Sequence, residues 1–451
     1  MKAKFSVLLS SVLLCMSLMS CNNNAIEQEG TNNQVYAENE SNEDQVSAVD
    51  QESNEVHEEV KLVDYDAIED YLSSNYVDLD FDNDDYDEGL NTLDRDIESN
   101  EIFFTAEIHG VHANSELKMA FIKYFKDKAN FKYLLSETSY SSSYFINRFL
   151  ETGDRSILDM LFQAQNGTYA DSEDNYNGWI DLYEFNKTLE DEEKIQVVGV
   201  DIEHQVLIAY NYMVSVLPDK EVPIELNETI EMIKETSEIL KSTFTKDYLA
   251  IKNAQKTLDN IELNRSLYQD YLGDELIFFE LVNQNIIGAN EAYKHVEDKV
   301  DWNNTRDQII YNNFLVLDDI LEDGKYYGQW GLNHAFQRMD GGVKWFAGYL
   351  DSSESKYHNK VLSIAYNYEN CESMSLKDTE PIKMNILYPV ISNITNVSDS
   401  KYVLYKLNES EEERPFIPMI ETWSGQEQDI DMNEYFQYIL LIKDSEASKT
   451  H

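Results

Sequence analysis

The sequence predicts an α/β fold: a central, mostly parallel sheet flanked by helices, with a long helical insertion over the ends of the strands. Three observations carry this expectation. Short apolar runs alternate with segments whose apolar residues recur at helical spacing. The stretch 222–322 is almost free of glycine and shows helical spacing in ETIEMIKETSEILKSTF and again in IKNAQKTLDNIELNRSLYQDYL. The strands that lead into helices end in polar side chains, where an open α/β sheet places its ligand crevice.

Taken in order, residues 1–20 (MKAKFSVLLSSVLLCMSLMS) begin with Lys2 and Lys4 and continue in an apolar stretch too short for a membrane span. They read as an export signal. The LMSC that closes it resembles a bacterial lipobox, which implies lipidation of Cys21 and anchorage at the cell membrane, facing the extracytoplasmic side. Residues 21–61 are predicted to be a disordered acidic tether: 22–60 holds eleven Asp or Glu and no Lys or Arg, a composition that cannot bury enough surface to offset ordering entropy. The run DLDFDNDDYDEG (78–89) misplaces the turn glycine and closing glutamate of a calcium loop and reads as solvated surface.

The folded part, 62–451, is long enough for a sizeable core, and 42% of all residues are apolar. A formal charge of −51 repels phosphate backbones, which excludes nucleic acid and leaves a small molecule or peptide as the expected partner. With Cys15 in the signal and Cys21 lipidated, Cys371 has no partner for an intrachain disulfide.

IFFTAE (102–107) reads as a strand. NSELKMAFIKYF (114–125) reads as a helix behind an Asn114 or Ser115 cap, because Leu117, Ala120, Phe121, Tyr124 and Phe125 share one face. FKYLLSE (131–137), IQVVGVD (195–201) and KYYGQWG (325–331) are further strands, followed by KVLSIAYNY (360–368), KYVLYKL (401–407) and YFQYILLIK (435–443).

The strand ends deliver Glu107 and His109, then Glu137, then Asp201 with Glu203 and His204, then His334 after Gly331. One such ending is often a helix cap; four in one chain point to a site. The motifs AEIHG, LLSE, VVGVDIE and GLNHA, together with WIDLYEFNKTLEDEEKIQVVGVD and the Arg-Asp helix NTRDQIIYNN, resemble the erythromycin esterase, haem-binding uptake and Tiki superfamily, the esterase branch most. Ala106 stands where that pattern has glycine, and WGLNH has one histidine where many esterase relatives have two. The resemblance implies an α/β sheet with a helical insert and a hydrolase that activates water.

On that reading His109 is the base, Glu107 or Glu137 orients it, and His334 polarises the substrate or protonates the leaving group. Arg306, Asp201 and Trp330 are expected to bind substrate, Arg306 through a carboxylate and Trp330 as an apolar wall. Glu107, His109, Glu137 and His334 are equally a donor set for zinc or manganese, as in the protease branch. The uptake branch implies haem in the same cleft. The chain has neither a Gly-x-Ser-x-Gly elbow nor a His-Glu-x-x-His helix, so water is the expected nucleophile.

Overall fold

Apolar runs rich in β-branched and aromatic residues become most of the strands, the short acidic β10 excepted: β1 (Tyr76–Leu79), β2 (Ile102–Glu107), β3 (Tyr133–Ser139), β4 (Gln196–Asp201), β5 (Tyr326–Gly331), β6 (Val361–Ser373), β7 (Ile382–Ile386), β8 (Tyr402–Lys406), β9 (Pro418–Ile420), β10 (Glu427–Asp431) and β11 (Tyr438–Lys443). The computed structural model describes residues 63–81, 86–240, 248–377, 380–408 and 414–451. The predicted export signal, Cys21 and all of the tether lie outside them, as does part of the acidic run 78–89.

Among the described residues the main sheet is nine-stranded, in the order β1-β8-β11-β6-β2-β5-β3-β4 with β7 on β6. From β11 to β4 every neighbouring pair is parallel, and the antiparallel pairs are β1 with β8, β8 with β11 and β7 with β6. The predicted mostly parallel sheet is therefore what the chain forms. The parallel strands are buried on both faces, which explains their continuous apolar runs. Phe103 stacks on Phe125 of the helix Ala113–Ala129 at 4.6 Å, while its neighbour Phe104 meets Trp330 edge-on at 6.2 Å on the opposite face. Each such buried aromatic contributes about 2–3 kcal/mol.

Among its described residues the predicted insertion forms four helices, Ile224–Ile239, Tyr248–Leu272, Glu275–Lys294 and Lys299–Ile320. Two buried amides dock it on the edge strand β4: Asn285 donates to Asp201 O at 2.8 Å and Asn313 to Val200 O at 2.9 Å. These bonds satisfy carbonyls at the end of β4 and fix the helix Lys299–Ile320 over the ends of the strands. Cys371 is free and buried, and burial pushes its thiol up to about 11. Among the described residues no helix is long and apolar enough to cross a membrane.

Candidate active site

The order β2-β5-β3-β4 lays four strand ends side by side, so residues far apart in the chain meet at one edge of the sheet. Glu107 is the last residue of β2 and pairs in register with Gly331, the last of β5. Between Ser136 and Ser139, β3 carries an extra residue relative to β4, a bulge that re-aims Glu137. The bulge requires glycine opposite it: a Cβ at Gly199 would lie 2.3 Å from Ser139 O and 2.7 Å from Thr138 O.

His109 follows β2 in a loop that is tied down along its length. Ile108 N–H donates to the Tyr368 hydroxyl, Asn114 Nδ2 donates to Ile108 O, and Ser373 Oγ donates to His109 O. Gly110 turns the chain at φ +84°, a conformation that favours glycine. The helix that follows starts at Ala113, one residue earlier than predicted. Asn114 therefore lies inside it, serving the His109 loop instead of capping the helix.

At the centre, His109 Nδ1 lies 2.7 Å from Glu107 Oε1, and Gln329 Nε2 donates to Glu107 Oε2 at 2.6 Å. His109 Nε2 points across a hollow over Gly331 toward Glu137 Oε2, 3.9 Å away. A Cβ on Gly331 would sit 3.4 Å from His109 Nε2 and 3.5 Å from Glu137 Oε2, so the missing side chain leaves that space open. Glu137 accepts from Gly331 N–H at 2.8 Å and from Arg306 Nη2 at 2.9 Å. His334 Nε2 is 3.5 Å from Glu137 Oε1 and 3.2 Å from Arg306 Nη1, and its Nδ1 lies 2.8 Å from Asp307 Oδ1. The His109 side chain is the most open of this group at 28%; His334 is 8% exposed.

These contacts set the charges. Burial disfavours a charged His109, but the Glu107 hydrogen bond and the Glu137 and Glu107 charges outweigh it and lift its pKa to about 9. Burial likewise opposes ionisation of Glu137, and His334, Arg306 and His109 bring it down to about 2. Burial would lower His334, yet Asp307 and Glu137 raise it against the opposing Arg306 charge. Asp201, despite its burial, is held well below the usual carboxylate range by Arg306 and then His204.

Of the residues expected at the site, Glu107, His109, Glu137 and His334 converge. Arg306 and Asp201 are beside them but are occupied with each other: Arg306 Nε and Nη2 grip the two Asp201 oxygens at 2.9 and 2.5 Å. Arg306 thus clamps carboxylates of the site itself. Trp330 corrects the expectation of a substrate wall: it is fully buried, donates to Leu135 O, and underlies His334 edge-on at 5.8 Å. His112 turns away to Asp174, His204 bridges Asp201 to the Tyr293 hydroxyl, and Glu203 is buried beneath Ser141. Sequence reasoning missed Asp307, whose signal was the aspartate next to Arg306 in NTRDQ, and Gln329 and Tyr169, for which it held none.

Arg306 competes for donors that a divalent ion would need. Arg306 already occupies the place among Glu137, Asp201 and His334 where a cation would bridge, and both Glu137 oxygens and the Glu107 oxygens face N–H donors. Among the described residues, no group of three or more His, Cys, Asp or Glu is placed to hold a metal.

Fold and site together define an α/β protein with a histidine–carboxylate–arginine cluster at the carboxyl edge of its sheet. No protein-family model matches the sequence, and no curated protein matches it. Solved structures do. A Bacillus cereus protein aligns at TM-score 0.65 and 16% identity over 86% of this chain and 99% of its own. A succinoglycan biosynthesis protein aligns at 0.64 and 17%, again over 86% and 99%. An erythromycin esterase variant in its open conformation aligns at 0.58 and 11%, over 82% and 98%. At these identities the likeness is one of fold.

Proposed function

We propose that this protein is a hydrolase of erythromycin esterase type that activates water with its Glu/His cluster and cleaves an ester, lactone or amide. The observation that carries the reading is the partly open His109 ring, held on one side by Glu107 and aimed on the other across the hollow over Gly331. The erythromycin esterase with the same fold supports the reaction class.

In this mechanism water lies over Gly331, and the neutral His109 Nε2 takes its proton as the water attacks the substrate carbonyl. Glu107 and Glu137 stabilise the imidazolium that forms. His334, backed by Asp307, supplies the proton to the leaving group. Arg306 holds Glu137 and Asp201 ionised and in place. With both the neutral base and the charged Glu107 needed, turnover rises toward alkaline pH. The LMSC at residues 18–21 supports a chain lipidated at Cys21 and working outside the cytoplasmic membrane.

The test is His109→Ala and His334→Ala, each measured on a panel of esters, lactones and peptides. Losses of about a hundredfold or more are expected in both. Unchanged turnover in both variants would overturn the proposal.

A further inference from the structure

After β11 the chain does not stop at the edge of the sheet. Residues 445–451 cross the mouth of the site and bind two loops that the sheet itself does not join. On one side the segment holds the turn just after His109: His112 N–H donates to Glu446 O at 3.0 Å, and Ser448 N–H to Gly110 O at 2.9 Å. On the other it holds the loop just after Tyr169: Glu173 N–H donates to Lys449 O at 2.8 Å, and His451 N–H to Asp171 O at 3.3 Å. The far end is anchored by the His451 ring, stacked on Tyr176 at 4.2 Å and 17°.

The loop fixed in this way carries a ring to the site. Tyr169 is partly buried, and its ring lies 6.1 Å from that of His109, tilted by 38°. Within the loop, Thr168 N–H closes on Gln165 O, and Asn175 reaches the carbonyls of Tyr169 and Ala170. Those bonds shape the loop; its distance from His109 is set by the 445–451 segment, which contacts both partners, together with the direct contacts of His112 Nδ1 and Ser115 Oγ with Asp174.

We propose that Tyr169 is a substrate-facing residue of the site and that residues 445–451 are a strap positioning it against His109. This rests on His109 being the water-activating base. Tyr169 offers an apolar ring to the substrate portion next to the scissile bond. The strap acts only through that loop, so its side chains are positioning residues. A displacement of about 1 Å in such a contact is enough to cost one to two orders of magnitude in rate.

The experiment is a double-mutant cycle of His451→Ala and Tyr169→Ala, with His451→Phe as the conservative control. Three quantities are read: kcat/KM, the chemical shift of the His109 ring proton at fixed pH, and the denaturation midpoint. Each single variant should lower kcat/KM about tenfold or more, and His451→Ala should add nothing once Tyr169 is gone. The His109 proton should move in both singles, because the Tyr169 ring current is lost or displaced, and His451→Phe should restore it by keeping the stack on Tyr176. Independent, additive losses in kcat/KM, or a His109 resonance unmoved in both singles, would overturn the proposal. Failure of the underlying base assignment shows separately, as unchanged turnover in His109→Ala, while the chemical-shift arm needs no substrate at all.

Discussion

Glu107→Gln tests the electrostatics of the site most directly. The His109 pKa stands at about 9 against an ordinary 6.5, and the hydrogen bond to Glu107 is the largest influence raising it. That interval corresponds to about 3 kcal/mol of preference for the charged ring. A glutamine keeps an acceptor at the Oε1 position, 2.7 Å from Nδ1, but carries no charge. Glu137, 3.9 Å away, still acts on the ring, so the pKa should fall by about one to two units and not collapse. NMR titration of the His109 ring gives that shift without a substrate. The rising limb of the kcat/KM profile should move down in pH by the same amount, while its plateau drops because the base is weaker.

Stability supplies a third reading of the same substitution. A histidine with a raised folded pKa contributes stability that is fully present below about pH 6.5 and lost as pH rises through about 9. The deficit of Glu107→Gln against the parent should therefore be largest near pH 6 and close toward pH 10. A wild-type His109 that titrates near 6.5, or a rate limb that does not move in the variant, would refute the reasoning.

Other substitutions probe the supports. Glu203 is fully buried and burial pushes its carboxyl up to about 7 against the Ser141 donors, so the native state holds a proton that the unfolded chain releases near 4.5. Stability should fall by about 3 kcal/mol as pH rises from 4.5 to 7, and denaturation of Glu203→Gln across that window should lose this slope. Asp307→Asn keeps an acceptor for His334 Nδ1 and for Phe346 N–H but removes the charge; turnover should drop on the order of a hundredfold, and stability should fall most at acid pH, where His334 is charged. Gly199→Ala drives a Cβ into the Ser139 and Thr138 carbonyls and should cost about 3 kcal/mol in chemical denaturation, with loss of turnover as Glu137 shifts.

Much of this was legible in the sequence because strand ends are local signals. IFFTAE, LLSE and VVGVD each announce a buried strand by composition and a polar terminus by position, and the sheet order then does the assembly. The reason for glycine at 199 was not legible, since it depends on a bulge in a neighbouring strand. Asp307 was hidden because helical spacing places it beside Arg306 but says nothing of the histidine it meets across the fold. Trp330 misled for the opposite reason: a tryptophan one residue before a site glycine reads as a wall, whereas strand alternation turns it into the core beneath. The 445–451 segment gave no signal, because its hydrogen bonds to the two loops are made by backbone groups that every residue carries.

Arg306 bears on the two chemistries that the sequence left open. A divalent ion and a guanidinium answer the same physical need, which is to offset the carboxylates gathered at the ends of β3 and β4. The guanidinium meets it with directed bonds to Glu137 and Asp201, and its presence turns lone pairs of both inward toward N–H groups. Chelation should therefore leave turnover and stability of the parent protein unchanged. Arg306→Met should do the reverse of a conservative change: it strands two buried carboxylates, costs about 3–5 kcal/mol at neutral pH, and recovers part of that loss as the pH falls and the carboxylates protonate. It also frees Glu137, Asp201 and His334 as donors, so added zinc should raise the denaturation midpoint of this variant and not of the parent. A stoichiometric transition metal in the purified parent protein, measured by elemental analysis, would show that the cation of this site is not the arginine and would return the cluster to metal chemistry.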